Sequence, residues 1–348
     1  MPKTLHPLLC FLKRFLLVLL VTLLFAAAFL YGVMVLLCKG PSPTARELFV
    51  LSTRETSAIG FLPRLCLRQE EIDEILRQQD AQELESTDPS LITVNRVPDA
   101  GAEPDAWGYT DEDGDGLILV PVAGESFIGH MLIVLDPSRV IMGCIPESFH
   151  QRGYTLEELV KHFDAVAGIN GGGFEDLNGL GDGSTPEHAI VFKGEIYLRG
   201  QGTGYGFAGL DRDSILHVGT VGADELEALQ IQYGTGYGPV LIANGEAADP
   251  ESLHSGLNPR TAIGQRSDGA ILMLVIAGRQ ANSLGATYAD EAQLMLKFGA
   301  VNATNLDGGS SSLMWYQEGY VNNAAALVGI RRIPTSFLVL KEGVHPDD

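Results

Sequence analysis

The sequence predicts a mixed α/β (α+β) protein: a single globular domain on a large mixed, mainly antiparallel sheet flanked by a few helices, behind an N-terminal transmembrane helix. Three observations predict it. From about Leu117 onward, short apolar runs alternate with glycine-centred turns. Three helical patterns interrupt those runs, and a long uncharged stretch lies within the first 40 residues. With 348 residues, 45% of them hydrophobic, the chain has ample material for a packed core.

The stretch FLLVLLVTLLFAAAFLYGVMVLLC, Phe15 to Cys38, is 24 uncharged residues, enough to cross a hydrocarbon layer of about 30 Å as a helix. It exceeds the apolar core of a cleavable signal peptide, about 7 to 15 residues, and ends in VLLCKGP without a small-residue cleavage site. It therefore reads as an uncleaved signal-anchor over 15–38. Lys3, Lys13 and Arg14 precede it, so the positive-inside rule keeps 1–14 in the cytoplasm. Everything after Lys39 is then extracytoplasmic, on a single-pass protein of the cell membrane. Residues 39–114 read as a stalk and linker. Within them Gln69 to Leu84 has Ile72, Ile75 and Leu76 at helical spacing in a charged background, an amphipathic helix that would hold the body off the membrane. A proline- and acid-rich linker follows.

The globular domain is expected over 115–341. LILVPV, MLIVLD, AIVF, EIYL, ILHVG, PVLIA, AILMLVIAG and SFLVL read as strands, with KGE, NGE and SDG as turns. TLEELVKHF opens with Thr155 and carries Glu158 three residues on, a capping box. ADELEAL is a short helix, and TYADEAQLMLKFGA is apolar on one face and stops near Gly299. DEDGDG, Asp111 to Gly116, opens like a calcium loop, but Val122 stands where the bidentate Glu belongs. An acidic turn is the better reading; a divalent cation is only weakly supported, and no other cofactor is expected.

Acidic residues outnumber basic ones 44 to 23, and the first 40 residues hold four basic side chains and no acid, so the body is more negative than the net charge of −21. Such a surface argues against nucleic acid as a partner. No protein partner is evident, and the membrane is met through the N-terminal helix. Beyond Cys10 and Cys38 only Cys66 and Cys144 remain, either one disulfide or two buried thiols. The eight histidines lack metal-ligand spacing.

Four polar or glycine-rich stretches fall at predicted strand ends, where a sheet exposes functional groups. AVAGINGGGFED delivers Asn170 and three glycines before Phe174, Glu175 and Asp176; the glycines permit positive φ and free N–H donors, or form a plain loop. YGTGYGPVLIANGE alone is structural. LNPRTAIGQRSDG sets Asn258, Arg260 and Thr261 at a hairpin entrance, where Arg260 either clamps a phosphate or pairs with one of many carboxylates. In NATNLDGGSSSLMW, Asp307 ends a strand before two glycines. It is a turn-maker, a ligand acceptor or a catalytic carboxylate, and its residues alone favour the turn. No histidine accompanies Ser310, Ser311 and Ser312, which leaves them hydrogen bonding.

In order, INGGGF from Ile169, GPVLIANG from Gly238, PRTAIG from Pro259 and NLDGGSSS from Asn305 resemble the phosphodiester glycosidase family over about residues 115 to 340. The resemblance implies hydrolysis of a sugar-1-phosphodiester, a sugar-phosphate glycan or small glycoside, at its glycosidic bond. That chemistry needs a carboxylate near the anomeric carbon and cations or N–H groups on the phosphodiester. Carried onto matching positions, it implies Asp307 as catalytic carboxylate, with Glu175 or Asp290 as the second acid. Asn170, Gly171, Gly172, Asn258, Arg260, Thr261, Gly308, Gly309, Ser310 and Ser311 would bind substrate, with Arg260 on the phosphate. Two departures stand out: Ser310 replaces a third glycine, and INGGGF replaces an INGGFF-like run. A signal-anchored, cysteine-poor chain looks like a bacterial surface protein acting on envelope polysaccharide. The competing reading is a non-catalytic glycan- or wall-binding module of the same fold.

Overall fold

The computed structural model describes residues 5–56, 59–76, 84–94, 104–176, 181–199, 206–325 and 329–344. Six helices are present among them: α1 (Leu5–Lys39), α2 (Pro43–Arg54), α3 (Gln69–Leu76), α4 (Leu156–His162), α5 (Ala223–Ala228) and α6 (Tyr288–Lys297). The expected capping box of α4 forms, with Thr155 Oγ1 accepting from the Glu158 N–H and Glu158 accepting from the Thr155 N–H. The helix expected over Gln69 to Leu84 is described over Gln69–Leu76; residues 77–83, like the linker residues 95–103, lie outside the described part.

Among the described residues the strands form three sheets in place of one large mixed sheet, and every strand pairing there is antiparallel. The first runs Leu117–Ala123, Ile128–Val134, Ile271–Ile276, Arg260–Arg266, Ala300–Asn305, Val240–Ala243, Glu246–Ala247. The second runs Gly319–Tyr320, Met314–Tyr316, Ala165–Asn170, Thr335–Leu340, Val140–Cys144. The third is Glu195–Leu198, Ile190–Phe192, Tyr233–Tyr237, Gly206–Leu210, Leu216–Gly219. Apolar patterning announces a strand but says nothing of which sheet it joins. Only the hairpin turns are local, and Asn244 with Gly245 at φ 55° and 82° forms the expected one after Ala243.

The run Ile271–Ile276 shows why the sequence lacks polar alternation there. Leu272, Leu274 and Ile276 face one core with α6, packed among Ala292, Met295 and Phe298. Ile271, Met273 and Val275 face the other, against Ile169, Phe337 and Val339 of the second sheet. A strand buried on both faces must be apolar at every position, and each such side chain contributes about 1.5–3 kcal/mol. The sheets therefore pack as layers, with α6 outside the first and α4 outside the second.

Residues 9–33 of α1 are largely exposed along a span long and apolar enough to cross a membrane. Its last turns are covered: Met34 and Cys38 are buried with Val50, Leu51, Leu67, Ile72 and Ile75 of the following segment. That segment, expected as a free stalk, instead packs on the domain. Ser52 Oγ accepts from the Leu257 N–H at 2.8 Å, and a Cβ on Gly256 would lie 2.1 Å from Ser52 N. Cys66 and Cys144 are both free thiols, Cys144 deep in its own core beside Met142 and Leu156, so they are not a disulfide pair.

A carboxylate at the seam of three sheets

Asp307 stands where the chain leaves the first sheet at Asn305 and enters the second at Met314. Four motifs hold it there. Its N–H donates to Gly171 O at 3.1 Å, and its C=O accepts from Asn170 Nδ2 at 2.6 Å. Asn170 Oδ1 in turn accepts from Thr261 Oγ1 at 2.8 Å and the Leu313 N–H at 3.1 Å. Gly309 N–H donates to Pro259 O, and Asn305 exchanges bonds with Gly238, its Nδ2 donating to Gly238 O at 2.7 Å. The aspartate is thus both a turn residue and a presented acid.

The glycines after Asn170 act through their size rather than as free donors. Gly171 and Gly172 spend their N–H groups on Thr335, and neither has positive φ. A Cβ on Gly172 would sit 2.2 Å from Thr235 Oγ1, and one on Gly173 would sit 2.7 Å from the Tyr237 ring. They let the third sheet close against the second.

The Asp307 carboxyl is partly open to solvent yet walled by protein on most sides. Burial pushes its pKa up to about 7, against a hydrogen bond from Ser311 and the charge of Arg331; Asp176 and Glu187 push the same way as burial. Arg331 Nη1 donates to Asp176 at 2.8 Å and to Ser310 Oγ at 3.0 Å, and its guanidinium lies 4.9 Å from the Phe174 ring centre. Although burial opposes it, this pairing with the Gly181 N–H holds Asp176 below the usual carboxylate range. Glu187 is raised by burial, Glu175 and Asp176. Glu175, expected as a second acid, is exposed in this acidic rim. Asp290 is elsewhere: its carboxylate caps α6, accepting from Thr287 N–H at 2.8 Å and Thr287 Oγ1 at 2.7 Å.

On the other flank a group of donors holds the Glu55 carboxylate. Arg260 is buried, its guanidinium 4.0 Å from the Tyr288 ring centre, its Nε on Ala286 O and its Nη2 on Gly256 O. Its remaining partner is Glu55, whose Oε2 accepts from Arg260 Nη2 at 2.8 Å and from Asn258 Nδ2 at 2.8 Å. Glu55 Oε1 accepts from the Gly256 N–H at 2.9 Å. The adjoining Thr56 accepts from Arg279 Nη2 at 2.9 Å, which also donates to Asn258 Oδ1. Arg279, exposed and in the left-handed region at φ 56°, leans over Gly309 beside Asp307. Glu291 is wholly buried on α6 with neither oxygen hydrogen-bonded, and burial drives its pKa well above the ordinary value.

The expected Asp307, Asn170, Gly171, Gly172, Asn258, Arg260, Thr261, Gly308, Gly309, Ser310 and Ser311 converge here, with Glu175 on the rim. Arg279, Arg331, Glu187 and Glu55 were missed. The pair Arg331-Arg332 in so acidic a chain was the one local signal. At the turn Asp111–Gly116, Asp111 accepts from the Gly114 and Gly116 N–H groups, and the carboxylates of Asp111, Asp113 and Asp115 lie within 4.8 Å of one another. The Asp111 bonds close an acidic turn whose three carboxylates are near enough to one another to hold a cation.

A family model described as phosphodiester glycosidase matches residues 163–340. The SPbeta prophage-derived uncharacterized protein YomE of Bacillus subtilis (strain 168) is 41% identical over 91 residues, 26% of this chain and 13% of that protein, so the chain spans about an eighth of that relative. Among solved structures, the catalytic domain of zebrafish N-acetylglucosamine-1-phosphodiester alpha-N-acetylglucosaminidase, auto-inhibited by its pro-peptide, is similar at a TM-score of 0.55 and 19% identity. The match covers 65% of this chain and 82% of that one, a likeness of fold.

Proposed function

The chain belongs to the phosphodiester glycosidase family, and from that premise we propose that it hydrolyses a sugar-1-phosphodiester at the glycosidic bond. The observation that carries this reading is Asp307: a carboxyl poised at about 7, set between Arg331 and Arg279 at the seam of three sheets. An acid balanced near neutrality is suited to proton transfer. The Glu55 carboxylate, held by Arg260, Asn258 and the Gly256 N–H with Arg279 beside them, resembles a phosphodiester oxygen pair in charge and shape, which supports reading these donors as the phosphate site.

With the phosphodiester so placed, the anomeric carbon lies toward Asp307. Ionised Asp307 takes a proton from water as its oxygen bonds to the anomeric carbon. The glycosidic C–O electrons leave on the phosphate, which departs as a phosphomonoester anion stabilised by the arginines. A phosphate leaving group needs little protonation, so the second acid has a light task; Glu187 and Glu175 on the rim are candidates for it. Ser310, bonded to Arg331, narrows the sugar side.

Substrate reaches the phosphate site only after Glu55 and Thr56 withdraw. The zebrafish domain is auto-inhibited by its pro-peptide, and the Glu55 contacts support reading the α2 segment as a comparable plug. The helix α1, long and apolar enough to span a membrane, with basic residues before it, supports an anchored enzyme whose domain lies outside and works on envelope or extracellular glycan phosphates. The test is to incubate the detergent-solubilised full chain and its Glu55→Gln variant with a panel of sugar-1-phosphodiesters and measure reducing sugar. Release that disappears in Asp307→Asn supports the reading. No release from either, or release undiminished by Asp307→Asn, overturns it.

A further inference from the structure

Cys38 and Cys66 are 28 positions apart in sequence and adjacent in the fold. Cys38 is fully buried in the last turn of α1, where the helix has left its exposed stretch and is covered by α2 and α3. Cys66, partly exposed after the turn Leu62–Leu65, packs on the same cluster as Cys38. The other two cysteines are elsewhere: Cys144 belongs to the core under α4, and Cys10 lies on the exposed part of α1.

We propose that Cys38 and Cys66 form a disulfide. The loop it closes holds the whole of α2 together with Glu55 and Thr56, so the bond would staple the segment that fills the phosphate site to the end of the membrane-length helix. The oxidant is a disulfide of a small thiol or of a protein. The more accessible Cys66 thiolate attacks one of its sulfurs and expels a thiolate, forming a mixed disulfide. The Cys38 thiolate then attacks the Cys66 sulfur and expels the second thiolate. Two protons and two electrons leave the cysteine pair, and the oxidant is reduced to two thiols. Persistence of the bond in cells rests on the extracytoplasmic placement proposed above, because cytosolic thiol pools would reduce it; the ability of the pair to form it does not.

The full chain in mild detergent, treated with oxidised glutathione, quenched in acid and alkylated in denaturant, is then digested and weighed without reduction. The expected product is one cross-linked peptide pair joining Cys38 to Cys66, two hydrogens lighter than the separate peptides, with Cys10 and Cys144 alkylated. Cys144→Ser keeps the cross-link, while Cys38→Ser and Cys66→Ser each abolish it. Glutathione retained on Cys66 with no cross-link, a Cys66–Cys144 cross-link, or four alkylated cysteines would overturn the proposal.

Discussion

Replacing Asp307 by Asn removes a carboxylate whose ionisation the fold resists. The acid's pKa rises from 3.8 to about 7 chiefly through burial, and about 3 units at about 1.4 kcal/mol each set a ceiling of about 4 kcal/mol. Because the side chain keeps some solvent contact, about 2 kcal/mol is the working figure. The sign follows from the direction of the shift. A raised pKa means that the folded state binds the proton more tightly, so the favourable contribution is complete below pH 3.8 and is lost as pH rises toward 7. Above 7 the native protein carries the full penalty, and the amide does not. Asp307→Asn should therefore gain on the wild type as pH rises from 5 to 8.5, a window that holds about two-thirds of the effect, widening its melting-temperature margin by about 3–5 °C for a domain of this size. Thermal melts followed by circular dichroism at the two pH values give the comparison. A margin that stays constant, or that grows toward acid, would refute the claim that this carboxyl is held near 7.

Four other outcomes follow from the contacts described. Glu55→Gln removes the counter-charge of Arg260 and should tighten binding of an inorganic phosphate or phosphomonoester probe about tenfold, about 1.4 kcal/mol, measured by calorimetry. Arg331→Ala strands Asp176 and frees Ser310; turnover should fall about 10²–10³-fold with a loss of about 2–4 kcal/mol in denaturant unfolding. Asn170→Ala leaves the Thr261 hydroxyl, the Leu313 N–H and the Asp307 carbonyl without their partner, for a loss of about 2–4 kcal/mol and little remaining activity. Gly309→Ala places a Cβ 3.3 Å from Arg279 Nη2 at φ 62°, which should destabilise by about 1 kcal/mol and raise KM more than it lowers kcat.

What was legible in the sequence was what is encoded locally or in motif order. The runs of Ile271–Ile276 and Thr335–Leu340, the cap of α4 and the turn at Asn244-Gly245 depend on neighbouring residues, and each was readable. Four motifs in order marked Asn170, Arg260, Thr261 and Asp307 as one group, and the fold brings them together. Arg279 was not readable and Arg331 only faintly, through the pair Arg331-Arg332, because each sits in a loop whose position depends on pairings made far away in the chain. Glu55 was hidden more deeply. A carboxylate in a segment that looks like a solvated spacer gives no sign that its partner lies 205 residues on. Asp290 was drawn into the candidate set by its nearness to the Asp307 strand, yet Thr287 three residues earlier already marked it as a cap. The count and membership of the sheets were beyond reach for the same reason as the arginines: strand pairing is a long-range choice.

The short path from α1 to Glu55 also sets a length scale. The 12 residues of α2 rise about 18 Å, and with the brief connection from Lys39 the Glu55 carboxylate is within about 30 Å of the end of the membrane-length helix. If the chain is the anchored enzyme proposed above, it samples a thin shell of space above the bilayer instead of a volume. Substrates fixed to the same surface meet it by lateral diffusion, and long free polymers meet it only where a strand dips into that shell.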